Sequence, residues 1–326
     1  VPIGGEFTSW SADYNEFNGI FDGNGYSIRN IKMNRTPTAY TAYPSKTVCL
    51  PDGSKKTLNA YHSFGLFSCN AGTIKNLNIS VDFTINANPY AVAGGICGVN
   101  SGLISDCKTS GTLFINKTND AGDSYLGGIA GLIDGGTITL CANEARLSGK
   151  NEYIFPYVNC GGIIGGSTGL FENSVSYCYN TGEINPESAS DGYLGGIAAR
   201  ASNGLYYSGF SLVIENCYNA GRIGTDAAEG RIAGICGEGY HEDTKIISCY
   251  NAGQILSSGR TAGIVYEENC STDCYYLNSS ADSLWCNYWS GTLYVINALE
   301  EARMKTEEAF EGFDFDNVWI LDARSD

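Results

Sequence analysis

Cysteine, tyrosine, asparagine and glycine recur in fixed order along this chain, as CYNTG at 178–182 and CYNAG at 217–221 and 249–253. Such residues in such an order could serve redox chemistry, metal binding or disulfide formation. Neighbouring segments place a cysteine at the same point, so the full column is Cys107, Cys141, Cys178, Cys217, Cys249 and Cys274. A tetrahedral metal site needs ligands converging from several directions, which a one-dimensional stack of equivalent residues cannot supply. The CxxC spacing of zinc ribbons is absent as well. Neither a metal nor a cofactor is expected.

Thirteen cysteines is an odd number, so at least one cannot pair within the chain. Stacked strands would bring neighbouring Cα atoms into the usual disulfide range of about 4.4 to 6.8 Å, but parallel Cβ directions make the torsion unfavourable. Unpaired cysteine is among the most buried residue types and behaves as a small hydrophobe. The expectation is therefore an inward ladder of thiols, with Cys97 and Cys236 also in the core. Cys270 with Cys274, and Cys49 with Cys69, are the disulfide candidates.

Other chemistry-bearing residues are sparse. The two histidines, His62 and His241, share no motif, which argues against histidine-centred catalysis. The carboxylates Glu238, Glu242, Asp243, Glu267 and Glu268 fall in loops without a paired acid/base motif, as solvated acidic loops do. The loop NDAGDS at 119–124 offers oxygen ligands for calcium, but neither an EF-hand nor a nonapeptide calcium repeat is present.

Aromatic residues interrupt the regular pattern in three places: Tyr40 and Tyr43; Tyr206, Tyr207, Phe210, Tyr240 and His241; and Trp285, Tyr288 and Trp289. Exposed aromatics suit stacking on sugar rings or contact with proteins, whereas tryptophan at a solenoid end commonly fills a cap. Tyr40, Tyr43, Tyr206, Tyr207, Tyr240, His241, Trp285 and Trp289 are the candidate binding residues.

A net charge of −16, from 19 basic and 35 acidic residues, argues against nucleic acid and anionic membranes as partners. No run approaches the roughly 18 apolar residues of a membrane span, so direct membrane insertion is not expected. The opening VPIGGEF lacks the basic start and apolar stretch of a signal peptide, so any export signal is expected to have been removed or to lie upstream.

The elements that must position these residues follow from a repeat. GGI-type motifs centre on Leu66, Ile96, Ile129, Ile163, Ile197, Ile235 and Ile264, at steps of 30, 33, 34, 34, 38 and 29 residues by subtraction. A second β-prone segment carrying the cysteine lies between each pair. Helical repeats of similar period are excluded, because glycine pairs would cost a helix about 1 kcal/mol per glycine. A propeller blade needs about four strands in roughly 40 to 50 residues, which these units barely supply.

The expectation is an all-β parallel β-helix, a solenoid of about seven to eight rungs. Glycine before each isoleucine marks a tight bend or close backbone approach. The asparagine two residues after each cysteine, as in Asn143, Asn180, Asn219 and Asn251, is assigned to hydrogen bonding along the column and at the bend. The solenoid is expected over 1–296, with an insertion loop at 34–60. A small capping segment at 297–326 should carry a helix over 298–310 and an FDFDNVW strand.

These motifs resemble the GLUG-motif repeat family of bacterial extracellular and cell-surface proteins. The likeness lies in VPIGG followed by FNGIFDGNGYSIRNIKM at 17–33, then GLF and GTIKNLNIS, the alternating GGIAG and CYNTG units, and the closing MKTEEAFEGFDFDNVWILD. It covers nearly the whole chain, although complete GLUG text is scarce and the insertion is a departure. The resemblance implies a right-handed parallel β-helix in a secreted or wall-anchored protein, frequently an adhesin, and supplies no catalytic residues. An oxygen-poor habitat would reconcile export with many thiols. The start at VPIGG cuts into a first rung, so further N-terminal sequence is expected.

The leading expectation is a non-catalytic binding module, monomeric in this form, with a host or environmental glycan or protein as partner. The alternatives are a carbohydrate-active lyase or glycoside hydrolase, which β-helices also host, and a structural spacer.

Overall fold

The computed structural model describes residues 3, 16–36, 45–49, 55–59, 62–87, 91–118, 122–151, 157–168, 172–185, 192–201, 212–226, 228, 230–239, 244–259, 261–266, 270–286, 293–294 and 297–321. One turn shows how the repeat folds. Ser124–Gly127 is a strand that bends at Gly128 and Ile129 into the strand Ala130–Ile133. A second corner leads to Thr137–Thr139, a third at Leu140 to Ala142–Asn143, and Arg146–Asn151 completes the coil.

Each strand of this turn pairs in parallel with its equivalents in the turns before and after. The chain is a parallel β-helix, with nine-, five- and sixteen-stranded sheets along its faces. The register column Phe21, Ile74, Ile104, Ile138, Val175, Ile214, Ile246 and Ser271 passes through eight successive turns.

The core is a set of such columns. Ile96, Ile129, Ile163, Ile197, Ile235 and Ile264 are fully buried, and each removes apolar surface from water worth roughly 1.5 to 3 kcal/mol. The cysteine column begins on Leu77 and continues through Cys107 to Cys274, all buried. Its thiols fill the interior and donate to carbonyls of their own or the preceding turn, as Cys178 Sγ does to the Ser176 and Ile138 oxygens at 3.1 and 3.7 Å. The amide of Cys141 in turn points at Cys178 Sγ, and that of Cys178 at Cys217 Sγ, each at 3.4 Å.

The asparagine column is a continuous amide ladder. Asn143 Nδ2 donates to Asn180 Oδ1 at 2.7 Å, Asn180 to Asn219 and Asn219 to Asn251 at 2.8 Å each, and Asn251 to Ser280 Oγ at 3.1 Å. Each Nδ2 also donates to the carbonyl two residues on, such as Gly182 and Gly221 at 2.9 Å, which closes the bend. The glycines ahead of the isoleucines lie opposite this ladder. A Cβ on Gly162 would strike Asn180 and the Gly196 carbonyl, and one on Gly196 would strike Asn219 and the Gly234 carbonyl. The glycine and asparagine of the two sequence motifs are thus one packing unit across the interior.

Each cysteine of the column, and Leu77 at its start, is preceded by a residue in the left-handed region: Asn76, Asp106, Leu140, Tyr177, Asn216, Ser248 and Asp273, with φ between 48° and 55°. This corner turns the inward thiol strand away from the preceding sheet. Asparagine, aspartate and serine tolerate or locally support that conformation, whereas leucine and tyrosine do not.

Several expectations are corrected. Cys270 and Cys274 are thiols not bonded to each other: Cys270 precedes the strand Ser271–Thr272 with its Sγ beside Gly239, whereas Cys274 lies past the corner and donates to the Ile246 and Thr272 carbonyls at 3.5 and 3.2 Å. Cys69 is likewise a thiol, while the Cys49 side chain lies outside the described residues. The 34–60 segment is not simply a loop: Ser27–Arg35 pairs with the first long strand, and Ser45–Cys49 and Lys55–Asn59 form an antiparallel hairpin. In the cap, Ala298–Leu299 adds a parallel strand to Tyr276–Leu277, and two 3-10 turns, Arg303–Lys305 and Glu307–Ala309, replace the expected longer helix. The FDFDNVW stretch is a turn, in which Asp314 accepts the amides of Asp316 and Asn317 at 3.0 Å each.

Two sets of outcomes are expected, one for the amide ladder and one for the thiols. Asn219→Ala leaves its ladder neighbours and a buried bend carbonyl without partners, so denaturant unfolding should show a loss of about 2 to 4 kcal/mol. Conversely, Thr109 stands in register with Asn143 and its hydroxyl is buried without a partner, so Thr109→Asn should raise stability by extending the ladder. The second set concerns pH. Burial pushes the thiols of Cys97, Cys141, Cys178, Cys236 and Cys249 well above the ordinary value. Above about pH 9 the unfolded thiols ionise while the folded ones keep their protons, so stability present at neutral pH is lost as pH rises. Urea midpoints should fall steeply from pH 9 to 10.5, and Cys178→Ala should make the dependence shallower by about one proton.

Candidate binding surface

Most of the aromatic residues singled out from sequence lie outside the described residues: Tyr40, Tyr43, Tyr206, Tyr207, Tyr240, His241 and Trp289. Trp285 falls in the strand Ser283–Cys286, in register with Val265, but its side chain is not described. Of the candidate carboxylates, Glu242, Asp243, Glu267 and Glu268 are also outside, as are residues 119–121 of the calcium-like loop. Among the described residues no group of three or more histidine, cysteine or acidic side chains is arranged to hold a metal.

Glu238 is described, and it is committed to structure. It accepts Arg200 in a forked pair, Nε to Oε2 at 2.6 Å and Nη2 to Oε1 at 3.2 Å, with both side chains buried. Arg200 Nη1 reaches Asp123 Oδ2 at 3.0 Å, its guanidinium lies 4.5 Å from the Tyr193 ring centre, and Arg231 bonds the Tyr193 hydroxyl. These residues fill the angle between the two strands that flank each GGI bend. Val92, Tyr125 and Leu132 close the same angle with apolar side chains in earlier turns. A carboxylate with both oxygens engaged by one guanidinium and covered by protein is closed to a substrate.

The outer face past the cysteines is different. Tyrosines of the CYN motifs stack in register, with Tyr179 to Tyr218 and Tyr218 to Tyr250 each 5.1 Å between centroids and interplanar angles of 7° and 3°. The C-terminal cap folds back onto this column. Trp319 lies 5.5 Å from Tyr250 and 6.4 Å from Tyr218, while Phe310 and Phe313 pack on Tyr250 and Tyr275. The Tyr275 hydroxyl donates to the Glu311 carbonyl at 2.9 Å. Burial raises the Tyr218 and Tyr250 phenols, so both keep their protons at neutral pH.

Beside the open end of the column are the two anomalous corners. Leu140 and Tyr177 occupy adjacent turns, since Thr139 pairs with Ser176 and Ala142 with Tyr179. Their side chains are 55% and 44% exposed, at φ of 55° and 54°. Left-handed backbone costs such residues roughly 1 to 2 kcal/mol each, and exposure to water returns none of it through burial. Leu140 and Tyr177 stand two residues ahead of Ala142 and Tyr179, so the corner leads into the strip of half-buried Tyr179 and Tyr218 on which Trp319 packs, next in the chain to the 90% exposed Ile320.

The sequence reading named Glu238 but not its pairing with Arg200, and it did not single out the Leu140 and Tyr177 corners, though both features left a signal there. Arg200 and Glu238 each stand three residues after the central isoleucine of consecutive repeats, so opposite charges at equivalent positions were visible. The residue before the column cysteine is Asp, Asn, Ser or Asp in four turns, and Asn76 precedes the equivalent Leu77, which marks a corner and makes Leu140 and Tyr177 stand out.

No family model matches the chain, and no curated protein matches it. Among solved structures it is similar to a protein from Bacteroides ovatus described as a "putative immunoglobulin A1 protease", at 20% identity over 75% of this chain and 68% of that one, with a TM-score of 0.47. A likeness of that degree says nothing of activity.

Relief of the corner strain is measurable. Leu140→Asn should raise stability by about 1 kcal/mol, read as an upward shift of the thermal midpoint by a few degrees.

Proposed function

We propose that this chain is a non-catalytic binding module of a bacterial extracellular or cell-surface protein, related to the GLUG-motif repeat proteins its sequence resembles. One observation carries the reading: Leu140 and Tyr177 are exposed, apolar and conformationally unfavourable at a corner where five other turns place polar turn formers. Residues that weaken the fold and bury nothing within it are retained for contact with something outside it. The buried Arg200 is paired with Glu238 and Asp123, so the candidate carboxylate Glu238 is engaged within the fold, which supports binding over catalysis there. No helix there is long and apolar enough to cross a membrane.

A screen of immobilised glycans and proteins, run beside a reducing-end release assay on soluble polysaccharides, tests this. Binding without bond cleavage is expected. Sugar release abolished by Glu242→Gln or Asp243→Asn would establish the enzyme alternative, and absence of any ligand would favour a spacer.

A further inference from the structure

We infer that the Leu140–Tyr177 corner takes a neutral, linear hexose glycan running along the solenoid axis. This rests on the binding-module reading and names its ligand class. Three observations converge on it.

The centre of the strip is apolar and partly aromatic, formed by Leu140, Tyr177 and the outer edge of Tyr179 against Tyr218. The C–H faces of a pyranose pack on such surfaces, with aromatic rings offering rigid area at little entropic cost. Around that centre stand neutral hydroxyl and amide groups. Thr139 and Ser176 are half-buried on the neighbouring strand face, with Ser176 Oγ donating to Thr139 Oγ1 at 3.0 Å, and Thr181 and Asn216 lie on the adjoining turns. Hydroxyls that donate and accept suit the alternating demands of sugar hydroxyl groups.

Charge decides against acidic sugars. Lys108 is paired with Glu144, while Arg146, at 3.5 Å, and Arg222 both engage Glu183. Once Glu215, beside Ser176, is counted, three cations meet three carboxylates and this face carries no net charge, while the chain as a whole carries −16. Uronates, sialates and phosphorylated glycans would find no net positive charge to hold them there, on a chain whose overall charge repels anions. Direction follows from the repeat. Leu140 and Tyr177 are one turn apart, about 4.8 Å along the axis, close to the advance of one sugar in an extended hexose chain. Successive sugars would therefore meet successive corners.

The corner also supplies variants that separate binding from folding. Tyr177→Asn and Leu140→Asn install the residue already found at Asn76 and Asn216, and Tyr179→Ala reproduces Ala142 one turn away. Calorimetric titration of the full chain with cellohexaose, maltohexaose and mannohexaose, a hexagalacturonate and an arginine-rich peptide would test the inference. At least one neutral hexamer should bind, and Tyr177→Asn should weaken it about tenfold or more while the unfolding midpoint holds or rises. Tyr177-dependent binding of only the galacturonate or the peptide would overturn the ligand class and leave a binding module standing. Affinities unchanged in all three variants would overturn the corner site and leave a binding module standing, whereas no binding by any probe would overturn both.

Discussion

In a parallel β-helix every side chain lies about 4.8 Å from its own equivalent in the next turn, so each position must be compatible with a copy or near-copy of itself. That constraint organises this molecule. Amides satisfy it by donating up the column from Asn143 to Asn251, and thiols satisfy it as small, weakly polar fillers. Tyrosines satisfy it by stacking face to face. Charges cannot repeat and therefore alternate, as in Arg146, Glu183 and Arg222 on the surface and Arg200 with Glu238 in the buried angle.

The same rule closes the interior. Asparagine on one sheet is accommodated only because glycine faces it from the bend of another, and a single methyl at Gly162 or Gly196 would strike both the amide and the next turn's carbonyl. The ladder ends where its chemistry runs out. Thr109 stands at one end with an unpartnered hydroxyl, and at the other Tyr276 occupies the asparagine position against Gly263. Beyond Tyr276 the cap takes over, using ring contacts in place of backbone ladders to cover Tyr250 and Tyr275.

Against so regular a frame, departures carry the functional information. The buried Arg200 cluster departs from the apolar packing of earlier turns, yet its charges pair with one another and it reads as a strut. The Leu140–Tyr177 corner departs in the opposite sense, with unfavourable backbone and exposed apolar surface. A position that lowers stability without internal compensation points outward.

The amino-acid sequence by itself determined the solenoid, its period, and the inward isoleucines and thiols. Periodicity and glycine content are local properties that need no coordinates to recognise. It also located the asparagines at a bend, although not their partners across the interior, because Asn180 and Gly162 meet only when the chain closes a turn. Tertiary structure alone decided that Cys270 and Cys274 stay apart, that the cap is built from 3-10 turns over stacked tyrosines, and that Glu238 is bound to Arg200. It decided, too, that Leu140 and Tyr177 are exposed in left-handed backbone. Which side of a corner a residue occupies depends on how neighbouring turns stack, and that is set by contacts some 30 to 40 residues apart in the chain.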